Sequence, residues 1–217
     1  NLQPITYNFN LSVFTDFFNR PIVYFRFLFS GLSIMLVKAF GSAVFGINAT
    51  TVVVEVHVSA GIKFFHVGLP DNAVKESQMR IRAALANVGY RIPGKKIIVN
   101  MAPADIRKEG SAYDLTIAIA ILGASGQIQT DGIENYIIMG ELSLDGNIKG
   151  IHGILPMTQY AKEQGFSKIF LPEINAQEAS FIDGIAIHPL NNLRQFIDYC
   201  NSKIELGQYI AEKTEPQ

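Results

Sequence analysis

Hydrophobic and polar positions change their period several times along the chain. After Met35, "LVKAF" and "AVFGI" flank Gly41, "TTVVVEVHVSAG" alternates faces at period two, and "IKFFHVG" follows. These β-branched runs predict an opening meander of about three strands. Pro70 and Asp71 then end the sheet and cap a helix with Val74, Ile81, Leu85 and Val88 on one face and Gly89 as its stop. "KKIIVNM" reads as a buried strand, and "APADIRKEGS" as the loop into a second helix over 112–124. "NYIIMGEL" and "GNIKGI" flank Asp145-Gly146, which predicts a two-residue hairpin. A helix over 154–165, strand "KIFL", a short helix near "NAQEASF", strand "IAIHP" and helix "NLRQFIDYC" complete the pattern. The mixed order predicts an α+β fold, with a mixed sheet and helices packed against it.

At each end the pattern departs from that of a folded domain. "RPIVYFRFLFSGLSIMLV" is strongly apolar but carries Arg26 and falls short of a spanning run, which needs about 20 residues. Residues 1–34 are therefore expected to be an upstream extension before a natural start at Met35, with no membrane role. From about Lys203 the chain turns polar and reads as a linker. The expected organisation is an extension over 1–34, a domain over 35–203 and a tail over 204–217.

Composition changes the picture in one place. The 217 residues are 48% hydrophobic and 17% charged with a net charge of −1, which excludes a disordered chain and says nothing of partners. Between Asp71 and Glu109, however, eight basic residues face four acidic ones. That stretch is a candidate basic face. Lys75, Gln78 and Arg82 share one side of its helix, either a solvated surface or a contact for nucleic acid or another partner. The lone Cys200 cannot form an internal disulfide, and the four histidines lack metal-ligand spacing. No G-x-G-x-x-G follows a strand, and Gly94-Lys95-Lys96 lacks the first glycine and the hydroxyl residue of a phosphate-binding loop. "GASG" at 123–126 reads as a helix stop, and Glu141 with Asp145 as solvated hairpin acids.

"KEGSAYDLTIAIAIL" poses the chemical question, because Ser111 stands at the mouth of the second helix. A nucleophile there needs a base within reach, whereas a cap in the pattern Ser111-x-x-Asp114 needs nothing further. "KEGSAYDLTIA", "GELSLDGNIKGIHGILP" and "AKEQGFSKIFLP" resemble the proteolytic domain of Lon. In the register of that resemblance the nucleophile position falls on Ala112 and the catalytic-lysine position on Met157. Lys162 would point away around its helix, and Lys149 precedes it. Ser111 is therefore expected to be a cap.

A resemblance over about 170 residues is more specific. "FGSAVFGI", "VGLPDNAVKES", "MAPADIRKEGSAYDL", "GASGQI" and "GELSLDGNIKGIHGILP" resemble the N-terminal domain of the magnesium-chelatase-like YifB/ComM family. Thr116 departs from a proline frequent there, at a helical position that tolerates either. The resemblance implies a Lon-protease-domain-like fold of the ribosomal-protein domain 2 type, here without catalytic residues. It implies no cofactor in this chain, with ATP and Mg acting in a following AAA+ ATPase domain. The implied partners are that domain, sibling subunits of a hexameric ring, and DNA undergoing branch migration, in the cytoplasm. The candidate DNA contacts are Lys75, Arg80, Arg82, Arg107 and Lys108, whose charges would meet phosphates. Pairing of these with Glu76, Asp105 or Glu109 is the competing expectation. An oligomerisation or protein-docking module and a Lon-like serine peptidase are the rival functions.

Overall fold

The computed structural model describes residues 35–211. The expectation for residues 1–34 falls outside them. Strands β1 (Met35–Phe45) and β2 (Asn48–Ser59) form one long antiparallel hairpin, with Phe45 opposite Asn48. Gly46, at φ +60°, turns the chain together with Ile47. The sequence "AVFGI", read as strand, thus contains a tight turn whose left-handed residue is glycine.

The third strand corrects the expected meander. β3 (Phe64–Val67) does not pair with β2 but lies parallel to β4 (Lys96–Ala102), which is itself antiparallel to β2. On the other side, β1 receives β5 (Tyr136–Ile138), then β8 (Lys168–Pro172) and β9 (Ala186–Leu190), all parallel. The sheet order is β3-β4-β2-β1-β5-β8-β9, and β6 (Glu141–Leu142) with β7 (Ile148–Lys149) forms a separate ribbon. This is the mixed sheet that the sequence pattern implies. The loop of the ribbon runs from Ser143 to Asn147, longer than the expected two residues, although Gly146 takes the left-handed conformation. Asp145, Ser143 and Asn147 bond one another inside it and occupy the extra length.

Helices cover both faces. α1 (Asn72–Asn87) starts on Asp71, whose carboxylate accepts from the Val74 amide at 2.8 Å, and stops before Gly89, as its sequence signals. α2 (Asp114–Ala124) is buried at every residue, because it lies against β1 and β2 on one side and against α1 and β6 on others. Its Leu115, Ile117, Ile119, Ile121 and Leu122 each contribute about 1.5–3 kcal/mol through burial. α3 (Ile154–Glu163) lies on the opposite face of the sheet: Gly153 at its start abuts Val44, and the ring of Phe166 just beyond it packs tilted against Phe40 at 5.5 Å. Val37 and Gly41 of the same strand point instead to the α2 side. α4 (Ala176–Ala179) and α5 (Leu193–Cys200) follow, the latter with a capping box between Asn192 and Gln195.

The tail is partly fixed. Tyr209 donates its amide to Ile187 at 2.8 Å, and the Nδ1 of His188 lies 3.2 Å from the Gly207 carbonyl. Residues as far as Tyr209 therefore run along β9 as a strap, where the sequence reads as a linker. No helix among the described residues is long and apolar enough to cross a membrane.

Gly68, at φ +95°, joins β3 to α1, and a Cβ there would overlap the Met101 carbonyl of the neighbouring β4. Gly46 has a similar φ but open space around it. Gly68→Ala is expected to lower Tm by roughly 5 °C or more, and Gly46→Ala by about 2–4 °C, the left-handed penalty alone. Thermal unfolding of the two variants checks the order; equal shifts would show that β4 gives way.

Candidate functional site

The candidate site is assembled where the loop before α2 meets the β6–β7 ribbon and α1. Asp71 organises the approach: one oxygen caps α1 and the other accepts from the Gly110 amide at 3.0 Å. Gly110, at φ +80°, makes the turn into Ser111-Ala112-Tyr113. The Leu115 amide then donates to the Gly140 carbonyl, and the Gly140 amide to the Ala112 carbonyl, so the ribbon is bonded to the start of α2. Gly140 is needed at that approach, since a Cβ would lie 2.6 Å from Ile148.

Ser111 is not the cap that its spacing suggests. α2 begins two residues later than expected, its flanking residue Tyr113 makes no side-chain capping bond, and the Ser111 hydroxyl donates instead to Glu141 Oε2. Asp114, the other half of the expected capping box, is engaged elsewhere. Arg80 of α1 donates to it through Nε at 2.6 Å and Nη2 at 2.9 Å, and the Leu142 amide donates at 3.3 Å. Arg80 also donates to the Ala73 carbonyl at 2.9 Å, so its fork is used internally. Nothing in the local sequence joins Arg80 to Asp114. A buried aspartate at 1% exposure demands a partner, and the signal was an acid facing an otherwise apolar helix.

Burial pushes the Asp114 carboxyl up to about 6, against the pull of the Arg80 hydrogen bonds and the Leu142 amide. The same pair holds Arg80 more firmly protonated.

The Lon-type positions carry no proton-transfer group. Ala112 is half-buried against the core, and Met157 is buried within α3. The Lys162 side chain lies against Gly184. Asp145 is exposed, its carboxyl lowered by the Ser143 hydroxyl and the Asn147 amide, as befits a turn acid.

The five candidate DNA contacts divide. Lys75 and Arg82 are exposed on α1, beside a shallow depression of about 450 Å³ lined also by Asn72, Glu76, Gln78 and Met79. Arg107 is exposed and pairs with Glu109 at 3.3 Å, an exposed contact worth about 0–1 kcal/mol that leaves it available. Two others are corrected by the structure. Arg80 is committed to Asp114, and Lys108 is fully buried with its amine on the Pro103 carbonyl. Burial pushes that amine's pKa down, partly opposed by Asp105. Its methylenes fill the space under the loop while its backbone bonds Leu69 and Asp71, which is a structural role.

The sheet, the buried central helix and the ribbon at its mouth describe a domain of the Lon-like class. Over 57% of its length the chain is 30% identical to Lon protease 2 of Bacillus subtilis. Residues 54–175 match the family model of subunit ChlI of Mg-chelatase. The chain is 37% identical over 79% of its length to competence protein ComM of Haemophilus influenzae, covering 34% of that protein. It is 43% identical over 65% of its length to protein YifB of Escherichia coli, covering 28% of it. The chain belongs to the magnesium-chelatase-like YifB/ComM family. It spans about a third of the length of the curated relatives it matches.

The ion pair yields a pH test. Asp114 rises from an ordinary 3.8 to about 6 on folding, so its contribution to stability is full below 3.8 and lost as pH rises through about 6. Arg80→Met removes the donors that hold the Asp114 carboxyl down, so at pH 7 the buried group must stay charged without a partner or take up a proton at a cost, and the change should destabilise by about 3–5 kcal/mol. Below the Asp114 pKa the stranded group is neutral, so the loss should shrink markedly at about pH 4.5. Urea unfolding at both values checks this, and a loss independent of pH would remove the electrostatic account.

Proposed function

We propose that this chain is a catalytically silent Lon-like accessory domain of a longer magnesium-chelatase-like AAA+ ATPase that acts on DNA. The observation that carries the first half is the mouth of α2. There the Ser111 hydroxyl faces a carboxylate, Ala112 and Met157 fill the two Lon-type positions, and an Arg–Asp pair occupies the helix start. A peptidase needs a nucleophile against a base, and among the described residues no amine or imidazole bonds Ser111. The second half is supported by the name of the competence relative and by the exposed cations Lys75, Arg82 and Arg107.

The domain forms one tier of a ring of sibling subunits, in the cytoplasm, and positions DNA while ATP and Mg²⁺ act in the remainder of the longer protein. Lys75 and Arg82 lie seven residues apart on one side of α1, about 10 Å along the axis, and meet neighbouring phosphates without reading bases.

Two measurements test the two halves separately. A fluorophosphonate probe should leave Ser111 unlabelled by intact-mass analysis; stoichiometric labelling would restore the peptidase. Duplex DNA should bind at low salt and weaken as salt rises. The variant Lys75→Ala/Arg82→Ala should reduce the slope of log K against log salt by about two. Binding that is absent at about 50 mM salt would leave a protein-docking module instead.

A further inference from the structure

The sheet is covered unevenly. In β2, Val52, Val54, Val56 and Val58 are buried against the α2 side, while the alternate residues are only half-buried. α3 covers the other face against β2 and, in β1, near Phe40 and Val44. Toward the opposite end of the strands no described helix lies over that face. Register fixes what it presents: Phe65 of β3 is beside Ile98 of β4, which pairs with His57 of β2, which pairs with Leu36 of β1. Four strands at about 4.8 Å spacing make this row about 14 Å across. Phe65, on the edge strand β3, is 41% and Leu36 56% exposed, large apolar groups within strands rather than at a loop tip.

The next row starts at the exposed Val67 of β3 and continues as polar groups that satisfy one another. Glu55 accepts from Lys38 at 2.9 Å and from Asn100 at 2.9 Å. Beyond the other side of the apolar row, where β3 and β4 begin, stand Lys63, Lys95 and Lys96. The Ile97 amide donates to the Lys63 carbonyl at 2.8 Å, and Gly61 abuts Lys96, so the three lysines share one end of the paired strands. No carboxylate among the described residues pairs with any of them. The Lys96 amine sits 5.6 Å above the Phe65 ring.

We infer that this open face is a binding platform for single-stranded nucleic acid. The argument is charge complementarity joined to shape. An acidic surface would satisfy the lysines but not the apolar row of Phe65, Ile98, His57 and Leu36 beside them. A strand of nucleic acid supplies both halves, with phosphates for Lys63, Lys95 and Lys96 and splayed bases for Phe65 and His57. Stacking on exposed aromatics between cations is the general solution for unpaired bases, and a duplex, whose bases are stacked internally, cannot use it. The platform deepens the reading of the domain as DNA-acting and rests on it, but it uses residues separate from Lys75 and Arg82.

The test uses the whole chain with a fluorescein-labelled oligo(dT) and a labelled duplex, each of roughly 20 nucleotides, at about 50 mM salt. Phe65→Ala and Lys96→Gln should each weaken oligo(dT) binding about fivefold or more and leave duplex binding within about twofold. Lys75→Ala/Arg82→Ala should do the reverse. The chain has no tryptophan, so Phe65→Trp adds a single reporter whose emission oligo(dT) should quench. Circular dichroism confirms that each variant is folded. If DNA binds but Phe65→Trp is not quenched and Phe65→Ala binds normally, the platform is wrong and the DNA reading stands. If neither probe binds, both fail. A dimer in sedimentation that Phe65→Ala abolishes would make the face a contact between copies and overturn the inference.

Discussion

The arrangement of the domain depends on placing one helix at its centre without stranding the polar groups at its mouth. α2 is buried at all eleven of its residues, so its first turn cannot be satisfied by water. The structure answers by bringing other elements to it. Arg80 reaches in from α1, the Leu142 amide comes from the ribbon, and the Leu115 amide is taken by Gly140. The Arg80–Asp114 pair is thus a three-way tie between α1, α2 and the ribbon. A buried pair of this kind contributes less to stability than to the choice of one arrangement, since loss of either partner leaves a charge with nowhere to go.

The same tie explains why the mouth of α2 is a scaffold. In a Lon-like layout this is where a serine and a lysine would meet. Here the two positions carry apolar side chains, and the polar groups nearby are consumed by holding elements together. The Ser111 hydroxyl fastens the loop to Glu141 of the ribbon, and Lys108, charged and exposed by its sequence context, is folded under the loop. With the interior committed in this way, surfaces that remain for partners include the outer side of α1 and the end of the sheet that α3 does not reach. The first offers point charges and the second an apolar row beside lysines.

Most of the elements were legible as local pattern. The alternation in β2, the cap at Asp71, the stop at Gly89 and the left-handed turn at Gly146 all follow from backbone geometry within a few residues. The failures share one cause. Ser111-x-x-Asp114 matches a capping box at the level of spacing, yet both side chains have better partners distant in sequence, 30 residues on for Ser111 and 34 residues back for Asp114. β3 follows β2 and looks like the next strand of a meander, yet the free edge it joins is that of β4. The tail looks like a linker, yet Tyr209 finds an open amide acceptor on β9.

For the site, sequence identified the class of side chain and structure identified its use. Five cations were read as one basic face because they are close in the chain. Two of them are turned inward, since burying α2 required a guanidinium at Asp114 and filling the loop required the stem of Lys108. By itself, then, the sequence settled where most of the strands and helices lie, because periodicity and caps act over one or two turns. Only the tertiary structure decided which charges remain facing water and which end of the sheet stays bare, because those depend on what the rest of the chain brings to each position.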